Sequence, residues 1–177
     1  NKKLYYYRNS KKIAVEKIYN RIRFDDLQQQ KLALGKFIDL THHFEVEWAP
    51  HPNWFYRISK YTLPLIKSEF VPLTSYLDKL EVIPKDLENY VLKPLFSFAG
   101  HGVLLDITRE DIEKIPDPQH WILQRKVQYA SIIETPDIPA KCEIRLIYFW
   151  EDGKPRPVLV HNLMRLSKGK MIGVSYN

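Results

Sequence analysis
Apolar and polar residues alternate toward both ends of the chain, whereas prolines interrupt the pattern through its middle. Residues 4–7 and 13–23 are β-prone runs joined by the polar stretch 8–12, which predicts a hairpin. Under strict alternation Ile13, Val15, Lys17, Tyr19, Arg21 and Arg23 share one side of the second run. A helix is predicted over 25–40, with Asp25 or Asp26 as its cap and Leu27, Leu32, Leu34, Phe37 and Ile38 as its apolar positions. Residues 44–48 alternate apolar and acidic and predict a short strand. Pro50 and Pro52 then break the chain before a helix expected over 54–66, which Pro64 shortens or kinks. Another short helix is expected over 74–80, capped by Thr74 or Ser75.

From Tyr90 the pattern turns to strands. Residues 90–95 and 103–107 predict two strands around the loop 96–102, and Thr108 with Asp111 predicts a capped helix through Ile115. Residues 121–127 read as a strand and 134–140 as a loop. Two longer strands, 141–150 and 157–167, flank the turn Glu151-Asp152-Gly153-Lys154. Strands joined by hairpins, with helices between them, predict an α+β protein rather than a doubly wound one.

The chain of 177 residues is 45% hydrophobic and 27% charged, which excludes a disordered chain. No stretch approaches the ~18 uninterrupted apolar residues of a spanning helix, so no membrane partner is expected. The lone cysteine, Cys142, cannot form an internal disulfide, and a cytoplasmic setting is expected. Asn1 comes first with no signal-peptide pattern behind it, so the chain is expected to be a piece of a longer one. The net charge of +6 is concentrated at one end: residues 1–23 hold eight Lys/Arg against Glu16, and the rest of the chain is close to neutral. That segment reads either as a solvated basic hairpin or as an anion-binding arm, and no nucleic-acid partner is expected.

The loop Phe96-Ser97-Phe98-Ala99-Gly100-His101-Gly102 lacks the spacing of the dinucleotide fingerprint and of the P-loop. A strand, not a helix, is expected to follow it. Such a flap can lay backbone N–H groups over phosphates, and its small residues permit close approach. Lys93, on the entering strand, is placed to neutralise phosphate oxygens. An ordinary hairpin loop with a solvated lysine is the alternative.

The segment Tyr90-Val91-Leu92-Lys93-Pro94 through Gly100-His101-Gly102-Val103 resembles the V-x-K-P…G-x-G-V hairpin of ATP-grasp enzymes. Upstream, Ile58-Ser59-Lys60 with Leu63, then Val71-Pro72-Leu73-Thr74, is similar to the family's D-K…L…I-P-x-T stretch. Downstream, residues 121–127 resemble its inter-lobe hinge strand, Glu143-Ile144-Arg145 its D-x-R strand, and Met164-Arg165 with Asn177 its later R…N pair. The resemblance covers roughly residues 55–177. It implies an N-terminal region over 1–54 on the substrate side, a first grasp lobe with a phosphate flap over 55–120, and part of a second lobe over 121–177.

What the resemblance implies for function is an ATP-dependent carboxylate–amine or carboxylate–thiol ligase acting through an acyl phosphate. Lys60 and Lys93 would contact the phosphates, and Ser97, Gly100, His101 and Gly102 would close over them. Backbone near Gln124, Lys126 and Val127 would read the adenine edge, and Gln124 or Glu134 would take the ribose. Asn177 belongs to the same nucleotide site, while Arg145 and Arg165 would hold the transferring group. The family's Mg2+ carboxylates follow its R…N pair, so they are expected beyond residue 177, and this chain alone is expected to be inactive. A non-catalytic nucleotide-binding or protein-interaction module of grasp-like shape is the alternative.

Parity supplies checks independent of the family. Cys142, Ile144, Leu146, Tyr148 and Trp150 share one face of their strand and Glu143, Arg145, Ile147 and Phe149 the other, which makes Cys142 a core residue and Glu143–Arg145 either an ion pair or a phosphoryl clamp. Leu159, His161, Leu163 and Arg165 are expected on one face of the next strand. His42, His43, Glu45 and Glu47 read as a solvated strand face rather than a metal cluster, because no second cluster completes a ligand set.

Overall fold
The computed structural model describes residues 2–23 and 42–172. The helix expected over 25–40 and the candidate Asn177 lie outside the described residues. The protein is α+β, with small, mostly antiparallel sheets and few helices. Two compact units divide it, Asn1–Arg125 and Lys126–Asn177. The division follows strand 121–125, which the sequence reading had placed at the head of the second lobe.

In the first unit, strands β1 (Tyr5–Arg8) and β2 (Lys11–Ala14) form the expected hairpin. Asn9 and Ser10 both adopt positive φ, 49° and 61°. That is the two-residue turn whose twist suits an antiparallel pair. The run 13–23 is not one strand, because the chain breaks between β2 and β3 (Lys17–Tyr19). β3 pairs in parallel with β4 (Glu47–Ala49), which replaces the strand expected over 44–48.

The helix expected over 54–66 is two short pieces, α1 (Trp54–Arg57) and a 3-10 turn Lys60–Leu65. Ser59 separates them. Its hydroxyl donates to Tyr56 O (2.6 Å) and accepts from Tyr61 N (3.2 Å), so one side chain ends one element and caps the next.

β5 (Thr74–Tyr76), β6 (Tyr90–Pro94) and β7 (Trp121–Arg125) form the principal sheet, with β7 in the middle and antiparallel to both neighbours. β5 stands where a capped helix was expected. Thr74, Ser75 and Tyr76 pair with Gln124, Leu123 and Ile122, and this non-local ladder overrides the capping preference of Thr and Ser. One face of the sheet packs Tyr90, Leu92 and Leu123 with Leu77, Ile107 and Ile112 into the core. Leu92, Leu95, Ile122 and Leu123 are almost wholly buried, each contributing roughly 1.5–3 kcal/mol of apolar burial.

The strand expected over 103–107 reduces to one bridge, Leu104 to Leu92. Gly102 turns the chain at φ 71°, and Val103 N donates to Gly100 O (3.2 Å) instead of extending a ladder. α2 (Arg109–Glu113) begins with the predicted capping box: Thr108 Oγ1 accepts from Asp111 N (3.3 Å), and Thr108 N donates to Asp111 Oδ2 (2.8 Å).

The second unit is one sheet in the order β8 (Ser131–Ile133), β9 (Ala140–Phe149), β10 (Val158–Ser167). β8 was not predicted. A bulge between Leu159 and His161 moves Leu159 to the face opposite His161, Leu163 and Arg165, against simple parity. Cys142 is half-buried rather than core, and apolar side chains of both parities, Ile144 and Phe149 among them, are exposed. Among the described residues no helix is long and apolar enough to cross a membrane.

Thr108→Ala should lower stability by about 1 kcal/mol through loss of the helix cap. Urea unfolding measures this, and Thr108→Ser, which keeps the hydroxyl, should restore most of it.

Candidate functional site
The register of the principal sheet decides what Lys93 meets. Val91 lies opposite Gln124, and Gln124 lies opposite Thr74. Lys93, two residues beyond Val91, therefore shares a face with both. A polar relay follows across three strands. Lys93 Nζ donates to Gln124 Oε1 (2.6 Å), Gln124 Nε2 to Thr74 Oγ1 (2.9 Å), and Thr74 Oγ1 to Pro72 O (2.7 Å).

Gln124 and Thr74 are buried, and Lys93 is half-buried. Among the described residues the lysine has no carboxylate partner; a neutral amide oxygen accepts its hydrogen bond. Burial holds its pKa below the ordinary lysine value. A cation withdrawn from water without a counter-charge is costly, and an anion entering beside it would relieve that cost.

Lys60 serves a different purpose. Its backbone N donates to Leu95 O (3.3 Å), which sets it beside the end of β6. Its ammonium donates to the carbonyl of Ser97 and to Ser97 Oγ (3.0 Å). Lys60 thus straps the start of the flap to the segment that follows α1. The flap has further anchors. Phe98 packs on Phe55 at 5.4 Å between ring centroids, Phe96 on Phe55 at 6.3 Å, and Arg23 lies 5.7 Å over Phe98.

The loop itself turns tightly, with positive φ at Ala99, Gly100 and Gly102. A Cβ on Gly102 would sit 2.9 Å from Pro94 Cγ, so glycine is required there by space as well as by φ. Ser97 and Gly100 are half-buried, and His101 is exposed at the tip.

The residues expected to read a base are arranged otherwise. β7 is a central strand, with ladders to β5 and β6 and with Arg125 N donating to Leu73 O (2.8 Å). The Gln124 backbone is therefore inside a sheet rather than at an open hinge, and its side chain is enclosed in the relay. Lys126 and Val127 begin the second unit, where Val127 is exposed.

Also in the second unit, Arg165 is directly opposite Glu143 in the ladder, which brings Glu143, Arg145 and Arg165 to one face. Arg145 Nε donates to Glu143 Oε1 (2.7 Å), and Arg165 Nη2 donates to Glu143 Oε2 (3.4 Å) and to Ile172 O (2.8 Å). Arg165 Nε is 3.1 Å from Glu143 Oε1, within ion-pair range but without hydrogen-bond alignment. One carboxylate thus partly neutralises both guanidiniums.

Near His42 and His43 the acids are used in ion pairs, Glu45 with Lys3 (3.7 Å) and Glu47 with Lys17 (2.7 Å). Among the described residues no three His, Cys, Asp or Glu side chains form a metal-binding group. Thr74 is the relay member that sequence reasoning missed. Treating 74–80 as a helix hid the alternation that places it on the Gln124 face.

Because the folded pKa of Lys93 is lowered, the unfolded chain binds more protons as pH approaches 10.5, and stability attributable to this group rises over that interval. Lys93→Met removes the rise. Unfolding wild type and variant in urea between pH 7.5 and 10 should show the wild type gaining on the variant as pH increases. A wild type that loses ground would mean that the cation is stabilised where it sits.

No family model, no curated protein and no solved structure matches this chain.

Proposed function
We propose that this chain is the nucleotide-binding part of an ATP-dependent carboxylate–amine or carboxylate–thiol ligase. The observation that carries the reading is Lys93, half-buried on the strand that leads into the glycine flap and paired with an amide instead of an acid. Its ammonium would neutralise phosphate oxygens of the nucleotide, with the Lys93–Gln124–Thr74 relay fixing its position. Lys60 would act mainly through Ser97 by holding the flap's first turn. The backbone N–H groups of Gly100 and Gly102 would face the phosphates, that of His101 being bonded to Phe98 O (3.0 Å). ATP would supply the phosphoryl group that activates the carboxylate. A cytoplasmic setting and ATP-grasp-like lobes belong to the same proposal, which rests on the residues 90–103 resemblance together with the Lys93 geometry.

The Glu143 arrangement favours a second reading, a non-catalytic nucleotide-binding module. Arg145 and Arg165 would have to leave a shared carboxylate to hold a transferring group. Carboxylate-dependent phosphate release in the presence of Mg2+ separates the two readings, since only a ligase produces it. It is measured on a chain that continues past residue 177, where the ligase reading expects its Mg2+ carboxylates.

Calorimetric titration with ADP and a non-hydrolysable ATP analogue tests what both readings share. Lys93→Ala should weaken binding by ~1.5–3 kcal/mol, roughly tenfold or more, through loss of a charge-assisted hydrogen bond. Equal affinity of the two proteins, or no heat with either, would remove the nucleotide site.

A further inference from the structure
The N-terminal hairpin sorts its charges. At its base Lys3 faces Glu45 and Lys17 faces Glu47, and Glu16 lies beside Lys17. Arg8, Lys11 and Lys12, around the turn, have no acid partner among the described residues. Three tyrosines of β1 lie alongside them. Register puts Tyr7 directly opposite Lys12 and Tyr5 opposite Ala14, so Tyr5, Tyr7 and Lys12 share one face. Lys12 Nζ sits 4.1 Å over the Tyr5 ring, and Tyr7 is 71% exposed. Tyr6 is exposed on the opposite face, together with Arg8 and Lys11.

Planar rings beside unpaired cations suit a partner that is both planar and anionic. We propose that this hairpin is a binding surface for single-stranded nucleic acid. A base stacks on Tyr7, a phosphate is held by Lys12 on that face, and the strand passes over the turn to Arg8 and Lys11 on the other. The sequence alone left the segment between a solvated turn and an anion-binding arm and predicted no nucleic-acid partner. A nucleic-acid partner departs from that expectation because ion pairs engage Lys3 and Lys17 at the base, whereas the tip cations have no acid partner among the described residues.

A single strand is favoured over a duplex because Tyr7 needs an open base face, the Tyr5 ring being already covered by Lys12. Successive bases in a duplex stack at about 3.4 Å and leave no exposed face for an inserted ring. An unstacked strand offers every base face, and stacking on aromatic rings is indifferent to sequence. A bilayer is disfavoured because the turn Arg8-Asn9-Ser10-Lys11 has nothing apolar to insert.

The test is fluorescence anisotropy of the whole chain with labelled 12-mers of oligo(dT) and oligo(U). Duplex DNA of equal length, polyglutamate and phosphatidylserine vesicles are the comparison partners. Three phosphate contacts at about −0.7 each in log–log slope give roughly a twentyfold loss between 50 and 200 mM salt. Tyr7→Ala should weaken binding about fivefold or more, whereas Tyr7→Phe should retain it. Arg8→Ala/Lys11→Ala/Lys12→Ala should abolish most of the salt dependence while leaving the unfolding midpoint unchanged, because all three side chains are exposed. Tighter binding to duplex, binding to polyglutamate or vesicles alone, or variants that bind like wild type would overturn the proposal.

Discussion
β7 is hydrogen-bonded along both edges and covered on both faces, and the first unit is arranged to meet that demand. Ile122, Leu123 and Gln124 are consecutive and all buried, so the strand lacks the alternation of a half-exposed one. Two of these residues need only apolar surroundings, and Leu123 finds them in the core cluster. Gln124 needs hydrogen-bond partners, since an unpaired buried amide costs about 1–3 kcal/mol. Thr74 from β5 and Lys93 from β6 provide them. The amide thereby links both neighbouring strands to the centre and fixes which way its oxygen points.

That solution has an electrostatic consequence. A carboxylate at position 124 would have neutralised Lys93; an amide satisfies its hydrogen bond and leaves its charge uncompensated. The second unit takes the opposite course, with Glu143 serving two arginines. The half-exposed arginine pairs contribute little to stability, about 0–1 kcal/mol for such contacts. They nevertheless settle where positive charge remains available. By that criterion Lys93 is the stronger anion-binding candidate and the two arginines are the weaker ones.

How much of this was legible in the sequence depended on how local each determinant is. The hairpin turn at Asn9-Ser10, the Thr108–Asp111 box, β6 and the β9–β10 pair rest on neighbouring residues, and the pattern predicted them. Thr74–Tyr76 is a strand only because β7 lies beside it, and Ser59 breaks a helix by bonding in both directions. Neither can be read from propensity. For the candidate site, Lys93 and the flap were visible as residue types in order. Their partners were not, because Gln124 and Thr74 meet across fifty positions of chain through a register that only the folded sheet defines. The small flap residues Ser97, Ala99, Gly100 and Gly102 were legible as permitting close approach, whereas the anchoring of the loop by Phe96, Phe98 and Lys60 was not.

Charge at the N-terminus shows the same dependence on register. As a count, residues 1–23 are strongly basic, with eight Lys/Arg against Glu16. One unbroken strand over 13–23 would have set Lys17, Arg21 and Arg23 in a row on one face. The break after β2 prevents this. β3 is free to pair in parallel with β4, and that register places Lys17 against Glu47. Arg21 turns to Tyr19, its guanidinium 5.8 Å from the ring, and Arg23 turns to Phe98. The acids of the 45–47 segment therefore neutralise the base of the hairpin and cannot reach its tip. Among the described residues Arg8, Lys11 and Lys12 flank the turn without an acid partner, where β1 also presents its tyrosines. Which charges of a basic segment stay available is thus decided by strand pairing, not by their number.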